Sequence, residues 1–218
     1  MNASTPQKKL LVALPKGFGF RELFDKSISS VMRDFNDFEV TLIPDNHGIS
    51  KSYFDLNGVS TTTVHSPNSK LSCLSLLKKH THVVIFWDGE ELTDFVYFSK
   101  LLKIPNRIFP VQITKVCNKD KDDPFDVYIG RGSPWGNPFP IEHHEDGAKR
   151  KDVIDKYKKY FQDEFVSNPG KLRAILSLRG MRLACHCKPL DCHGDVIAEF
   201  LNSYEDLDQS NNESKGPP

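Results

Sequence analysis

The chain has 218 residues, of which 38% are hydrophobic and 27% charged, a composition typical of folded globular proteins and unlike that of disordered chains. Its 29 lysines and arginines balance 29 aspartates and glutamates, which argues against binding of extended duplex nucleic acid, because that binding needs an excess of positive charge. The sequence contains no run of about 18 apolar residues, so we expect no membrane-spanning helix.

Short apolar runs alternate with amphipathic segments through the first half of the chain. The run 82–87 gives the strongest strand signal, because consecutive β-branched and aromatic residues end at Asp88 and Gly89. The stretch 45–70, rich in Ser, Thr, Asn and Gly, gives the weakest signal. Further strands are predicted at 8–14, 39–43, 107–113 and, within the weak stretch, 61–65, and helices at 20–35, 70–80 and 91–102. This alternation predicts a Rossmann-like α/β domain with a parallel sheet over residues 8–113.

Asp88 is a candidate ligand-binding residue because of its position in this pattern. It ends a buried strand at the carboxyl edge of the predicted sheet, where open α/β folds bind their ligands. A plain turn at Asp88 and Gly89 is the competing interpretation.

A second, smaller α/β domain is predicted over residues 116–203. Its predicted strands lie at 125–129 and 181–187, and its predicted helices at 148–166, 171–178 and 192–203. The tail 205–218 is acidic and rich in Ser and Asn, which predicts disorder.

The loop 130–140 follows a predicted strand and has the sequence Gly-Arg-Gly-Ser-Pro-Trp-Gly-Asn-Pro-Phe-Pro. Glycines permit close backbone approach and prolines stiffen the rest, which suits backbone amides that bind an anion. In this interpretation Arg131 holds phosphate, Trp135 stacks a base and Asn137 reads a ring edge. The ligand-binding candidates in the loop are Gly130, Arg131, Gly132, Ser133, Trp135 and Asn137. The alternative is a rigid structural turn whose aromatic residues fill the core.

Three of the five cysteines fall between positions 185 and 192. Such a cluster does not form a disulfide scaffold in a chain of this length, and we expect a cytoplasmic protein with a metal-binding or catalytic cluster. Cys185 and Cys187 share one face of the predicted strand, while Cys192 and His193 begin the next helix, so the four could bind zinc tetrahedrally. Alternatively Cys187 or Cys192 is a nucleophile with His193 as its base. A third interpretation makes the thiols ordinary buried residues.

The loop Gly-Arg-Gly-Ser-Pro-Trp-Gly-Asn-Pro-Phe and the turn Cys-His-Cys-Lys-Pro-Leu-Asp-Cys-His-Gly-Asp resemble an uncharacterised domain family of phages and bacteria. That family is known mainly by its paired Asn-Pro-Phe and Cys-His-Cys motifs, and the resemblance covers residues 116–202. It implies no assigned activity, but it implies a phage or bacterial setting and hence the bacterial host cytoplasm. The motif positions it marks are Arg131, Asn137, Cys185, His186, Cys187, Cys192 and His193.

Residues 8–113 resemble, more weakly, the Rossmann-like nucleotide-binding superfamily called SLOG. The resemblance is carried by the strand 83–87 with Asp88-Gly89, then by a helix and by a strand after Pro105. Members usually have a Gly-rich phosphate loop after the second strand, where this chain has Ile-Pro-Asp-Asn-His-Gly-Ile at 43–49. Gly17, Gly19 and Arg21 after the first strand offer a substitute.

Together these patterns predict that a nucleotide- or nucleoside-like ligand binds between the loop 130–139 and the Cys/His turn 185–195, with enzymatic processing of that ligand left open. One alternative is a non-enzymatic phage-type binding module whose turn is held by structural zinc or by packing. A second alternative is single-stranded nucleic-acid binding. The first hypothesis requires that the loop and the turn face the same cavity.

Overall fold

The computed structural model describes residues 7–33, 38–121, 123–140 and 147–205, apart from the side chains of residues 147 and 148. In the first half, strands and helices alternate as predicted. The strands are β1 (Lys8–Ala13), β2 (Phe38–Leu42), β3 (Thr61–Thr63), β4 (His82–Trp87) and β5 (Asn106–Pro110), and the helices are α1 (Arg21–Met32), α2 (Ile49–Leu56), α3 (Lys70–Leu77) and α4 (Thr93–Leu101). The predicted tail lies outside the described residues from position 206 onward.

These five strands form a parallel sheet in the order β3-β2-β1-β4-β5. The central strand β1 is buried on both faces, as a continuous apolar run predicts. Leu10 and Val12 pack into a cluster with residues of α1 and α2, and Leu11 and Ala13 pack into a cluster with residues of α3 and α4. Helices on both faces and a reversal of strand order between β1 and β4 make this half Rossmann-like, which confirms the prediction.

Helix α2 lies in the polar stretch where the sequence gives no helix signal. The carboxylate of Asp45 accepts hydrogen bonds from the backbone N–H of Ile49 (2.8 Å) and of Ser50 (3.1 Å), the first residues of the helix. Asp45 therefore stabilises the N-terminus of α2, although Pro44-Asp45-Asn46 indicates only the end of a strand in the sequence.

The second half contains a smaller parallel sheet of three strands in the order β6-β8-β7. The elements are β6 (Lys115–Asn118), β7 (Val127–Tyr128), α5 (Gly147–Phe161), a π-helical turn (Gln162–Val166), α6 (Pro169–Leu176), β8 (Arg182–Cys185) and α7 (His193–Leu201). The predicted smaller α/β unit is confirmed, although β6 is not predicted. Strand β6 is short and half-buried, so it carries little apolar signal.

The strand predicted over 181–187 is too long, because β8 ends at Cys185. Beyond that residue the chain turns, and the N–H of Leu190 donates to the carbonyl of Cys187 (3.0 Å). The prediction that Cys185 and Cys187 share one strand face is therefore wrong, and the position of Cys187 is set by the turn.

Polar contacts join the end of α7 to the first half of the chain. The side chain of Asn202 accepts from the N–H of Thr114 (2.7 Å) and donates to its carbonyl (2.9 Å), and the N–H of Gly19 donates to the carbonyl of Asn202 (3.0 Å). A Cβ at Gly19 would lie 2.8 Å from that carbonyl oxygen. This glycine thus permits close packing of the two halves. Packing alone is a sufficient reason for a glycine at position 19, without a phosphate-binding role for this stretch.

Candidate ligand-binding site

A cavity of about 580 Å³ lies at the carboxyl edge of the second sheet. Its walls come from the segments that follow the three strands, as in larger parallel sheets. The lining residues are Asp120 after β6, Gly130, Arg131, Asn137 and Phe139 after β7, Cys185, His186 and Cys187 at the end of β8, and His193 of α7. The loop and the Cys/His turn therefore face the same cavity, as the functional hypothesis requires.

Two successive turns fix the shape of the loop. The N–H of Ser133 donates to the carbonyl of Gly130, and the N–H of Gly136 donates to the carbonyl of Ser133, both at 3.1 Å. Glycine is needed at position 136, because a Cβ there would lie 2.9 Å from the carbonyl oxygen of Gly130. The loop is therefore a preformed wall of the cavity.

Asn137 presents a buried hydrogen-bond donor at this wall. The residue is 8% exposed, and its Oδ1 accepts from the N–H of Phe139 (2.9 Å), which fixes the orientation of the amide. Its Nδ2 is buried and has no hydrogen-bond partner among the described residues. A buried donor left without a partner costs about 1–3 kcal/mol, and the described residues supply no acceptor for this one.

Other predicted loop residues lie at different positions relative to the cavity. Arg131 is exposed and lines it. Gly132, with a φ of 90°, and Ser133 belong to the outer turn and are not among the described lining residues. Trp135 is half-buried in the apolar cluster of the second half, with its ring centroid 5.7 Å from that of Phe165. The indole thus fills the core, as the structural interpretation of the loop proposed.

Asp88 lies away from this cavity, at the joint between the two halves. Its carboxylate accepts from the N–H of Glu90 (3.0 Å) and of Glu91 (2.8 Å) and forms an ion pair with Lys115 of β6 (2.7 Å). Lys115 and Arg182 of β8 both pair with Glu90. These contacts give Asp88 a structural role, and its predicted ligand-binding role remains a prediction.

Cys185, Cys192 and His193 come together beneath the cavity. Their ligand atoms all lie within 4.8 Å of one another, and the three residues are buried. The Nε2 of His193 is 2.8 Å from the carbonyl oxygen of Ile129. A carbonyl can only accept, so Nε2 carries the proton and the unprotonated Nδ1 faces the sulfur of Cys185 at 3.9 Å. Burial also lowers the pKa of His193, which keeps the ring neutral.

The three thiols of the turn differ in their electrostatics. A hydrogen bond with Cys187 lowers the pKa of Cys185, but its hydrogen bond with Cys192 and burial outweigh this and raise that pKa to about 11. The hydrogen bond with Cys185 and burial raise the pKa of Cys187 well above its ordinary value, although Arg150 lies nearby. The hydrogen bond from Cys185 lowers the pKa of Cys192 against the effect of burial. Negative charge is therefore most stable on Cys192, which is 0% exposed.

The accessible thiol of the turn and the thiol with the lowered pKa are different residues. The half-buried Cys187, which lines the cavity, holds its proton, whereas Cys192, which loses its proton more readily, is inaccessible. An accessible cysteine with a depressed pKa is the usual mark of nucleophilic catalysis. The predicted catalytic roles of Cys187, Cys192 and His193 remain predictions.

A His–Asp pair lies at the mouth of the cavity. The Nδ1 of His186 is 2.8 Å and 3.0 Å from the two carboxylate oxygens of Asp120, and the imidazole meets the ring of Tyr128 edge-on at 5.6 Å. His186 is a motif position in the sequence, but Asp120 is not among the predicted site residues. The missing signal was β6, because Asp120 becomes a site candidate only once a strand is known to end at Asn118.

A second cleft, of about 490 Å³, lies at the carboxyl edge of the first sheet. It is lined by loops that follow β1, β3 and β4, at the position where open α/β sheets bind ligands. Three carboxylates, those of Glu90, Glu91 and Asp94, line it together with Lys16. This charge balance does not favour phosphate.

The five-stranded parallel sheet with helices on both faces is that of a Rossmann-like α/β protein, a class associated with nucleotide-related ligands. Residues 7–117 match the minimal SLOG domain, and residues 112–203 match a domain of unknown function, DUF4326. The first match spans just over half of the chain, so the chain belongs to the minimal SLOG domain family. Both resemblances noted in the sequence are thereby confirmed.

A phage protein is similar to part of this chain. It is the uncharacterised 12.4 kDa protein in the nrdA-td intergenic region of Enterobacteria phage T4, 42% identical over 91 residues, which cover 42% of this chain and 80% of the phage protein. No solved structure matches the chain. Among the described residues, no helix is long and apolar enough to cross a membrane.

Proposed function

We propose that the protein binds a nucleotide- or nucleoside-like ligand in the cavity between the loop 130–139 and the Cys/His turn. The observation that carries this proposal is the cavity wall at Asn137, a lining residue whose buried Nδ2 has no acceptor among the described residues. Such a donor suits a carbonyl oxygen or a ring nitrogen of a base. The volume of about 580 Å³ falls within the range of about 300–1,000 Å³ usual for small-molecule sites.

Other lining residues complement the parts of such a ligand. The guanidinium of Arg131, exposed at the cavity, offers planar paired donors to a phosphate. Phe139 contributes an aromatic ring to the wall, so we transfer the predicted stacking role from Trp135 to Phe139. The minimal SLOG match covers residues 7–117, so it supports a nucleotide-related ligand for the chain in general and does not itself mark this cavity. The acidic lining of the cleft at the first sheet favours the cavity at the second sheet as the place for phosphate.

The proposal includes a cytoplasmic location. All five cysteines lie in the described part of the chain and are free thiols, which is typical of a reducing compartment. We do not extend the proposal to single-stranded nucleic acid, because that binding uses exposed stacking platforms and the indole of Trp135 is packed against Phe165.

Thermal unfolding of the full chain with nucleosides, nucleoside monophosphates and inorganic phosphate tests the proposal. A ligand at about 100 times its Kd should stabilise the protein by about 2.7 kcal/mol. The Arg131→Ala variant should weaken binding of the monophosphate and leave nucleoside binding nearly unchanged. Arg173→Ala, on an exposed face of α6, is the matched control and should change neither. Equal binding of the monophosphate by all three proteins, or binding of neither nucleoside nor monophosphate by the wild type, would contradict the proposal.

A further inference from the structure

We infer that Cys185, Cys192 and His193 bind one Zn²⁺ whose fourth coordination position faces the cavity. The metal site stands on its own geometry, and only contact between the metal and a nucleotide-like ligand rests on the proposed function. The inferred site differs from the four-ligand zinc site that the sequence suggests, because Cys187 is not one of its ligands.

The donor atoms already lie near the distances that zinc imposes. Tetrahedral zinc, with Zn–S bonds of about 2.3 Å and Zn–N bonds of about 2.0–2.1 Å, places a sulfur and a nitrogen about 3.6 Å apart. The Sγ of Cys185 and the Nδ1 of His193 are 3.9 Å apart, so a shift of a few tenths of an ångström brings both to a metal. Two sulfurs and one imidazole nitrogen form a donor set that favours zinc over hard cations such as Mg²⁺.

The surroundings of His193 provide an independent observation. Its Nε2–H donates to the carbonyl of Ile129 (2.8 Å), which fixes the tautomer and directs the lone pair of Nδ1 towards the sulfurs. A backbone carbonyl on the second nitrogen is the usual outer-shell partner of a zinc-bound histidine. The ring is also held edge-on against the ring of Tyr157, at 5.1 Å between centroids. The ligand is therefore positioned before any metal binds.

The first turn of α7 positions the other buried ligand. Cys192 precedes the first residue of the helix, where the positive end of the helix dipole stabilises a thiolate. The N–H of Cys192 donates to the carboxylate of Asp195 (2.9 Å), which fixes this end of the helix. Metal binding releases the S–H protons of Cys185 and Cys192, and two thiolates neutralise the charge of Zn²⁺ at a buried position.

Cys187 lies beside this group without completing it. Its thiol lies near Cys185 and Arg150, but among the described residues the set of donor atoms mutually within 4.8 Å contains only the other three. Three protein ligands with an open fourth position are typical of catalytic zinc, whereas structural zinc has four. Since Cys185 and His193 line the cavity, the open position faces the space assigned to the ligand.

Metal content of the purified full chain is the first test. We expect one zinc per chain in the wild type, the same content in Cys187→Ser and in the matched control Cys117→Ser, and loss of at least nine-tenths of it in Cys185→Ser and Cys192→Ser. A wild-type chain without zinc after purification and reconstitution would overturn the inference. Loss of zinc from Cys187→Ser would overturn the three-ligand arrangement.

Cobalt substitution of the wild-type protein provides a test that does not depend on the folding of variants. Co²⁺ in the site should give a thiolate-to-cobalt charge-transfer band and visible d–d bands of tetrahedral intensity, and their absence would contradict the inference. Addition of a nucleoside monophosphate or inorganic phosphate should shift the d–d bands as the fourth position is filled. Unchanged bands would overturn the open position if the thermal shift shows that the monophosphate binds. If the monophosphate does not bind, the proposed function fails. Azide then tests the open fourth position directly. Unchanged d–d bands with azide would overturn the open position.

Discussion

The side chain of Asn137 shows how a single residue can indicate a binding site without any bound molecule. Its Oδ1 has a partner within the loop, while its Nδ2 is buried without one in the described structure. Proteins seldom leave such a donor unpaired, because the cost is about 1–3 kcal/mol. Under the proposed function, an acceptor atom of the ligand removes that cost.

Replacement of Asn137 should therefore affect stability less than its burial suggests. Asn137→Ala loses one hydrogen bond, worth about 1 kcal/mol, but also removes an unpaired donor of similar cost, so we expect a change in the free energy of unfolding below about 1 kcal/mol. Asn168→Ala should cost about 1 kcal/mol or more, because its side chain accepts from Gly170 and Lys171 at the start of α6. Urea unfolding of both variants measures the difference. Destabilisation by several kcal/mol in Asn137→Ala would show that the amide is a structural residue.

Asn137→Ala should also weaken ligand binding. Without the Nδ2 donor, the affinity for a nucleoside should fall by about 5- to 150-fold, which corresponds to 1–3 kcal/mol. Isothermal titration of wild type, Asn137→Ala and Asn168→Ala would show it, with Asn168→Ala expected to bind as the wild type does. Unchanged affinity in Asn137→Ala would exclude the amide from the site.

Helix α7 packs closely on the second sheet where the proposed zinc ligands begin. A Cβ added to Gly194 would lie 2.7 Å from Cδ1 of Ile129, 2.9 Å from Cγ1 of Val116 and 3.3 Å from the sulfur of Cys192. Glycine at the second position of this helix therefore permits the packing that positions Cys192 and His193.

Gly170 provides a matched comparison, because it is also the second residue of a helix. Its added Cβ would meet nothing closer than 3.5 Å. Gly194→Ala should lower the free energy of unfolding by about 1–3 kcal/mol through overpacking, whereas Gly170→Ala should be neutral or should stabilise by up to about 1 kcal/mol. Chemical denaturation distinguishes them, and equal effects of the two substitutions would contradict the close packing of α7.

The alternation of elements could be predicted from the sequence because apolar periodicity depends on burial, and the strands β1 and β4 are buried almost throughout. Helix α2 could not be predicted from the sequence, because its start depends on the side chain of Asp45, and aspartate is equally typical of a turn. The residues of the site also divide into those that could be predicted from the sequence and those that could not. Two unusual motifs identified the loop and the Cys/His turn, but Asp120 depended on the short strand β6, and the position of Cys187 depended on where β8 ends.

At the scale of the whole molecule, the two sheets are joined by an ion-pair cluster rather than by apolar packing alone. Asp88 at the end of β4 pairs with Lys115, and Glu90 pairs with Lys115 and Arg182, so charged groups connect β4 to both β6 and β8. Burial alone would raise the pKa of Asp88, but Lys115 and the N–H groups of Glu90 and Glu91 outweigh it and hold that pKa below its ordinary value of 3.8.

This depressed pKa makes stability depend on pH in one direction. The contribution of Asp88 is fully present above pH 3.8, its ordinary value, and is lost as the pH falls through the lower value of the folded state. Asp88→Asn should therefore be less stable by about 1–3 kcal/mol at pH 7, and the difference from wild type should shrink as the pH falls below about 4. The control Asp55→Asn, which breaks an exposed pair with Lys51, should cost at most about 0.5 kcal/mol. A difference that grows in acid would contradict the assignment.

Occupation of the second sheet's cavity by the ligand can be measured by a nuclear magnetic resonance titration. In ¹⁵N-labelled protein titrated with a nucleoside monophosphate, we predict the largest shifts at the side-chain amide of Asn137 and at the backbone amides of Gly130, Arg131 and residues 185–187. Shifts centred instead on Lys16 and residues 66–69, around the acidic cleft of the first sheet, would contradict the claim, as would an unchanged spectrum.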